Sequence, residues 1–338
     1  MNVYPFLFPF LTQERWMTYC QHCLGWTEDD CIIAQGHLSR NRIPLIRGNE
    51  IAFYLGVSLE LVDELAKCPE AYYRRFSVKK RAGGERIITA PRVFLKTIQR
   101  YILDCILAPV DVHDAAVGFV RGRSPRHGAL RHVGRRFLWN IDLKDFFPSI
   151  NKTQVENVFA SLGYPSQAVQ VLSGLCCLNG SLPQGAPTSP AIANLVFREC
   201  DMKIAAICAS QNVVYTRYAD DLSFSCDTPV TLEFRSDVEA LVESRGFRLN
   251  RGKTRLMGPK CRREVTGLTV NEKVSVPRKK RREVRALFHK LGNSPLTSGE
   301  MQRLRGKATW ISMYHPDEGQ RYLAQLSRIE IQDEPQNQ

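Results

Sequence analysis

Three aspartates stand where apolar runs end. Asp142 closes Phe137-Leu138-Trp139-Asn140-Ile141, and Asp220 and Asp221 follow Val213-Val214-Tyr215-Thr216-Arg217-Tyr218-Ala219. Carboxylate oxygens are hard ligands that suit Mg2+ or Mn2+, and carboxylates gathered beside a basic, phosphate-binding surface are the ingredients of two-metal phosphoryl transfer. An isolated Asp-Asp at a turn needs no such role, because aspartate favours turns through local hydrogen bonds. The weight lies in the combination and its order: Asp142-x-x-Asp145-Phe146-Phe147, then the loop Leu182-Pro183-Gln184-Gly185-Ala186-Pro187-Thr188-Ser189-Pro190, then Tyr218-Ala219-Asp220-Asp221. A P-loop, a dinucleotide glycine fingerprint, a nucleophile elbow and an H-E-x-x-H helix are all missing from the 338 residues, so those enzyme classes lose support.

The elements that must position these residues follow from periodicity. Residues 137–141 read as a buried strand, and 213–226 as a hairpin turning at Ala219-Asp220-Asp221, with Leu222, Phe224 and Cys226 alternating with Ser223 and Ser225. A helix is expected after the first strand, begun by Thr153-x-x-Glu156, carrying Val155, Val158, Phe159 and Leu162 inward and stopped at Gly163. Ser189-Pro190 is expected to open one long apolar helix reaching about residue 209. Further helices are predicted over 51–67, 93–107 and 232–245, a strand and turn over 247–256, and amphipathic helices over 278–291, 298–313 and 317–329. Residues 76–91 read as two strands joined at Gly83-Gly84, which puts Lys79, Lys80, Arg81 and Arg86 on one hairpin. A solvated edge that discourages aggregation and a phosphate-gripping flap are equally good readings of that hairpin.

Lys+Arg 47 against Asp+Glu 34 leaves a net charge of +13, with 43% hydrophobic residues. That balance describes a folded chain with a polyanionic partner and excludes a mostly disordered one. Arg121, Arg123, Arg126, Arg131, Arg135 and Arg136, with His127 and His132, crowd a stretch without acidic residues, and arginines can grip phosphate bidentately. Arg278-Lys279-Lys280-Arg281-Arg282 adds a second basic run. Eleven cysteines are too few for a disulfide scaffold and fit a reducing compartment. Cys20, Cys23 and Cys31, with His22 and His37 nearby, lack a second ligand pair at zinc spacing, so ordinary reduced thiols are expected. No apolar run approaches the ~20 residues that cross a bilayer, and the apolar stretch 3–11 is broken by Pro5 and Pro9 without the basic flank of a signal peptide. A cytoplasmic location and no membrane partner are expected.

With its motifs in this order, the chain resembles a reverse transcriptase, an RNA-directed DNA polymerase. The resemblance implies an α+β right-hand polymerase fold: an extension over 1–60, fingers and palm over 61–270 with the carboxylates on an antiparallel sheet, and a helical basic thumb over 271–338. It makes Asp142, Asp220 and Asp221 the catalytic ligands of two Mg2+ ions, or Mn2+, with dNTPs as substrates. Lys80 and Arg86 match residues that touch the triphosphate, Gln184 and Gly185 the loop beneath the nucleotide, and Phe147 the aromatic that collides with a ribose 2'-hydroxyl. Lys253 matches a lysine that stabilises or protonates the departing pyrophosphate. A plain surface lysine after a strand is an equally good reading of it.

Within that family the chain is similar to bacterial retron enzymes, through its compact size, Asp145-Phe146-Phe147-Pro148-Ser149-Ile150 and Val265-Thr266-Gly267. A retron Asn-Ala-x-x-His signature would fall at Gly128-Ala129-Leu130-Arg131-His132, with glycine in place of the asparagine. The similarity implies an RNA-contact role for His132, Val265, Thr266 and Gly267, and the basic run 278–282 would read RNA shape and charge. It further implies a cognate noncoding RNA of the msr-msd type, its RNA-linked DNA product (msDNA), an effector protein and a part in antiphage defence. The alternatives are another defence-associated or group II intron-like reverse transcriptase, or a silent RNA-binding scaffold. Intact Asp142, Asp220 and Asp221 count against the last, because bunched carboxylates repel a polyanion unless metal neutralises them.

Overall fold

A computed structural model describes residues 13–48, 50–79, 84–291 and 295–332. The apolar stretch 3–11, Lys80, Arg81 and Gly83 lie outside the described residues. The chain enters through α1 (Gln13–Leu24), α2 (Glu28–Leu38), α3 (Glu50–Leu55) and α4 (Leu59–Lys67). The single helix expected over 51–67 is therefore two: Gly56, at φ +63°, ends the first, and the Ser58 hydroxyl accepts from the Leu61 amide to cap the second. These helices share a core with the rest of the chain. Trp16 packs edge-on to Trp26, His37 stacks on Tyr164, Arg42 donates to the Leu162 carbonyl, and one apolar cluster runs from Trp16 to Phe247. Cys20 lies fully buried in that cluster, and burial first, then Glu50, pushes its thiol up to about 12, so it packs as a small hydrophobe.

β1 (Tyr73–Lys79) and β2 (Glu85–Pro91) form the expected hairpin, pairing antiparallel from Tyr73 opposite Pro91 to Lys79 opposite Glu85. α5 (Val93–Ile102) continues as a π-helical turn, Leu103–Leu107, and α6 (Pro125–Arg131) follows. The central sheet is built from β3 (Phe137–Lys144), a helical excursion, β4 (Val214–Tyr218), β5 (Asp221–Cys226), and, after one further helix, β6 (Arg248–Leu249) and β7 (Arg255–Met257). Its order is β4-β5-β3-β6, with β7 also on β3, and every pairing is antiparallel. The excursion comprises α7 (Lys152–Ser161), α8 (Ser166–Cys176), α9 (Ser189–Val196) and α10 (Arg198–Ser210), and α11 spans Leu232–Ser244.

Two sequence readings of the excursion are corrected. The cap of α7 is Asn151 with Gln154, two residues before the Thr153/Glu156 pair, and the two side chains satisfy each other's backbone amides. The helix expected from residue 189 to about 209 breaks at Phe197, which is fully buried among Phe146 and Phe247, and the Ser189 hydroxyl donates to the Pro183 carbonyl instead of capping.

A second core gathers Val265, Leu268, Val284, Phe288, Leu304 and Ile311. It is made by β8 (Glu264–Val265), β9 (Leu268–Thr269), α12 (Arg278–Lys290), β10 (Leu296–Thr297), α13 (Ser298–Ser312), α14 (Pro316–Leu326) and β11 (Ile331–Gln332). Ala129 of α6 and Leu138 of β3 belong to it as well, and Asn140 donates to the Glu264 carbonyl, so this unit is seated on the sheet.

Two buried histidines make the fold acid-sensitive. His132 bridges the Ser225 and Thr216 hydroxyls at 2.7 Å each, and burial, then Arg131 and Arg135, push its pKa down from 6.5 to about 3. Burial and Arg42 push that of His37 down to about 4. Both rings are neutral when folded, so below about pH 6.5 the unfolded chain takes up protons that the folded chain refuses, and stability falls by up to about 1.4 kcal/mol per pH unit per histidine. The thermal midpoint is expected to drop steadily between about pH 7 and about pH 5, and His132→Gln to make that slope shallower. Identical slopes would contradict the buried, neutral imidazole.

Candidate active site

β3 is paired on both edges, and its last residues carry the site. In the β3/β5 register Asp142 lies directly opposite Asp221, and the Leu143 amide donates to the Asp220 carbonyl at 2.9 Å. Like charges directly opposite on a sheet destabilise it, so this juxtaposition is held by the fold around it. Tyr218 pairs with Asp221, leaving a two-residue turn, Ala219-Asp220, with Ala219 at φ +55°. On the other edge, β6 pairs with Leu143 and Lys144, and β7 with residues 138–140. The turn between β6 and β7 thus passes Asp142. Asn250 donates through Nδ2 to Asp142 Oδ1 at 2.9 Å, and Lys253 Nζ contacts both carboxylate oxygens at 3.0 and 2.9 Å.

Asp142 is 8% exposed, whereas the Lys253 side chain that lies on it is 59% exposed. Asp221 reaches solvent, yet desolvation, then the Asp220 and Asp142 carboxylates, push its pKa up to about 7 against the opposing pull of Lys253. The three carboxylates therefore crowd one another at the end of the sheet. Among the described residues no three His, Cys, Asp or Glu side chains are already drawn together as a metal cage. The donor set is nonetheless all-oxygen and made of mutually repelling carboxylates, which fits a hard divalent ion such as Mg2+ or Mn2+.

The turn is braced from beneath by a network that the sequence reading missed. Arg217, fully buried, donates through Nε to Asp201 Oδ1 at 2.9 Å and through Nη2 to Asp201 Oδ2 at 2.6 Å. Its Nη1 reaches Asn194 Oδ1 at 3.1 Å and the Ala219 carbonyl at 3.2 Å. Tyr215 also donates to Asp201, and the guanidinium lies 4.6 Å over the Phe197 ring. Its only sequence signal is a charge inside an apolar strand, paired with an aspartate inside an apolar helix.

The family model described as reverse transcriptase (RNA-dependent DNA polymerase) matches residues 78–287. The chain belongs to the reverse transcriptase family. It is 34% identical over 278 residues to the retron Ec86 reverse transcriptase of Escherichia coli, covering 81% of this chain and 86% of that one. It is 34% identical over 316 residues to the retron Mx65 reverse transcriptase of Myxococcus xanthus, covering 86% and 74%. These similarities make the chain a retron-type RNA-directed DNA polymerase. Among solved structures, apo telomerase from Candida tropicalis superposes with a TM-score of 0.46 at 10% identity, over 75% of this chain and 55% of that one. The chain thus spans little more than half the length of that telomerase.

Around the aspartates, this reverse transcriptase brings together part of what its sequence pointed to. The Thr89 amide donates to the Gln184 carbonyl at 2.9 Å, and Gly185, at φ +132°, leaves no room for a side chain: a Cβ there would sit 2.8 Å from the Thr89 carbonyl oxygen. The loop 184–185 is therefore docked on β2, the strand on which Arg86 stands opposite Val78. Lys80 lies outside the described residues. Phe147 is half-buried beside Phe146, 5.5 Å between ring centroids.

The residues read as RNA contacts divide. His132 is 1% exposed with both ring nitrogens engaged, so its imidazole is a core strut and an RNA contact is withdrawn. The Val265 side chain is buried in the second core, which leaves Thr266 and Gly267, at φ +48° and +77°, as the turn between β8 and β9. Lys280 stands beside that turn, its Nζ 3.4 Å from where a Cβ on Gly267 would be. Arg278, Lys279 and Arg282 are exposed on α12. Arg281 is instead committed to Glu318 of α14, at 2.9 Å from Nε, because α12 packs there against a carboxylate whose side chain is 7% exposed.

Proposed function

We propose that this reverse transcriptase copies part of a cognate structured noncoding RNA into RNA-linked single-stranded DNA at Asp142, Asp220 and Asp221. The observation that supports the reading is the cross-strand pairing of Asp142 with Asp221 under the Asp220 turn, held by Lys253 and Asn250. Asp142, Asp220 and Asp221 would hold two Mg2+ ions, whose chemistry when bound is to favour the primer alkoxide and neutralise the triphosphate. The protein's own contribution is positioning. Lys253, released from Asp142, would offer a proton to the departing pyrophosphate. Lys80, Arg86, Gln184 and Gly185 would hold the incoming dNTP, and Phe147 would bar a 2'-hydroxyl. Thr266, Gly267, Arg278, Lys279, Lys280 and Arg282 would face the RNA. Residues 61–270 would act as fingers and palm and 271–338 as thumb, over an N-terminal extension that braces the same core.

Cytoplasmic action beside an effector protein in antiphage defence belongs to the same proposal. No helix among the described residues is long and apolar enough to cross a membrane.

Expression with the flanking genomic DNA tests the product. Nucleic acid extracted from those cells is expected to contain branched single-stranded DNA whose mobility shifts on RNase treatment, and an Asp220→Ala/Asp221→Ala chain is expected to yield none. Branched DNA from the double variant, or its absence from cells in which the intact protein extends primers on RNA, would overturn the retron reading.

A further inference from the structure

We propose that Phe119 is a base-stacking residue, presented beside the catalytic turn to take a nucleobase of the template–primer; this inference rests on the polymerase reading above. Phe119 is 55% exposed and sits at φ +59°, a left-handed conformation that a bulky side chain rarely adopts. Left to local preference, the chain would not put a large apolar ring in water on a strained backbone. Strain of this kind persists only where the surroundings over-determine it, and it concentrates at functional sites.

The surroundings do over-determine it. The segment before Phe119 runs beside β4, with the Arg217 amide donating to the Ala115 carbonyl at 2.7 Å and the Val117 amide to the Arg217 carbonyl at 2.8 Å. Gly118 then touches the turn backbone itself: a Cβ there would lie 2.8 Å from the Ala219 nitrogen, so no other residue fits. Asn194 Nδ2 holds the Gly118 carbonyl at 2.9 Å, and the same side chain's Oδ1 accepts from Arg217. After Phe119, Arg123 Nη1 ties the loop by donating to the carbonyls of His113, Asp114 and Ala116.

The consequence is a two-ring surface. The Phe119 centroid lies 5.7 Å from that of half-buried Tyr218, tilted by 41°, immediately before Ala219-Asp220-Asp221. Every base has a π-face, so an exposed aromatic at this point binds nucleic acid without regard to sequence. Exposed Arg121 and Arg126 lie a few residues on, supplying charge for the backbone that carries such a base. The dNTP is assigned elsewhere, to the loop 184–185 docked on β2, which leaves the template–primer as the occupant of this surface.

The test uses the full chain, a short RNA template annealed to a labelled DNA primer, and magnesium-free buffer for the binding step. Phe119→Gly removes the ring and relieves the left-handed strain, so its thermal midpoint is expected to equal or exceed that of the parent. Its dissociation constant for the primer–template is expected to rise by about tenfold, the scale of one lost stacked base, whereas Phe119→Trp is expected to bind like the parent. Extension with Mg2+ at saturating primer–template is expected to show little change in KM for dNTP. Phe119→Gly binding the duplex as tightly as the parent overturns the proposal, and a raised KM for dNTP in that variant would place the ring at the nucleotide instead. A parent chain that binds but never extends the primer would instead count against the polymerase assignment of the site.

Discussion

Asp142→Asn is expected to lower DNA synthesis by roughly three orders of magnitude or more without lowering the thermal midpoint. The activity loss follows from removing a charge from a cluster proposed to stabilise several kcal/mol of developing negative charge, each 1.4 kcal/mol of which is about tenfold in rate. The unchanged stability follows from the register. Asp142 faces Asp221 directly across the sheet, so neutralising it relieves a cross-strand repulsion instead of breaking a needed bond. Asparagine keeps an oxygen for Asn250 Nδ2 and Lys253 Nζ, and Lys253 is exposed enough to be hydrated on its own. Single-nucleotide incorporation on an RNA template, run beside thermal melts, separates the two effects. A chain that lost both together would show Asp142 to be a structural residue.

The second large effect is expected at the brace beneath the turn. Arg217→Met takes the counter-charge away from Asp201 in a site where both side chains are fully buried, and breaking such a pair from one side costs about 3–5 kcal/mol. Because Arg217 Nη1 also holds the Ala219 carbonyl, the residual folded protein is expected to be a slower polymerase with near-normal affinity for primer–template. Arg217→Met combined with Asp201→Leu removes both charges, and is expected to recover stability relative to Arg217→Met alone while leaving polymerisation slow. Denaturation of the parent, Arg217→Met, Asp201→Leu and the double variant gives the coupling between the two residues. A double variant no more stable than Arg217→Met would mean that the charges are not what ties β4 to α10.

What the sequence made legible is what depends on residue type and local spacing. The apolar run ending at Asp142, the alternation from Leu222 to Cys226 and the tight turn at Asp220 all appear in the structure, because strand period and turn chemistry are short-range properties. Of the two broken helices, 51–67 carries its break in local signals, Gly56 and the Ser58 cap, whereas the break in 189–209 is hidden by tertiary packing. Phe197 interrupts 189–210 because its ring belongs between Phe146 and Phe247, a demand that no window along the helix reveals. His132 and Arg281 show the same limit for function. Both lie in basic stretches that suggest phosphate, yet one is enclosed by Ser225 and Thr216 and the other is committed to Glu318, partners 93, 84 and 37 residues away. Lys253 is the converse: two equal readings along the chain, but in space a cation lying on both oxygens of Asp142, because β6 and β7 leave their connecting turn opposite it.

Primer extension by the purified full chain with dNTPs tests the proposal that DNA is made on RNA at the Asp142, Asp220, Asp221 cluster. With Mg2+ the parent is expected to lengthen a DNA primer along an RNA template, to stop on chelation and to resume when Mg2+ is restored, while Asp221→Asn binds the same duplex and adds no nucleotide. Extension by Asp221→Asn at the parent's rate, or by the parent in the presence of excess chelator, would contradict it.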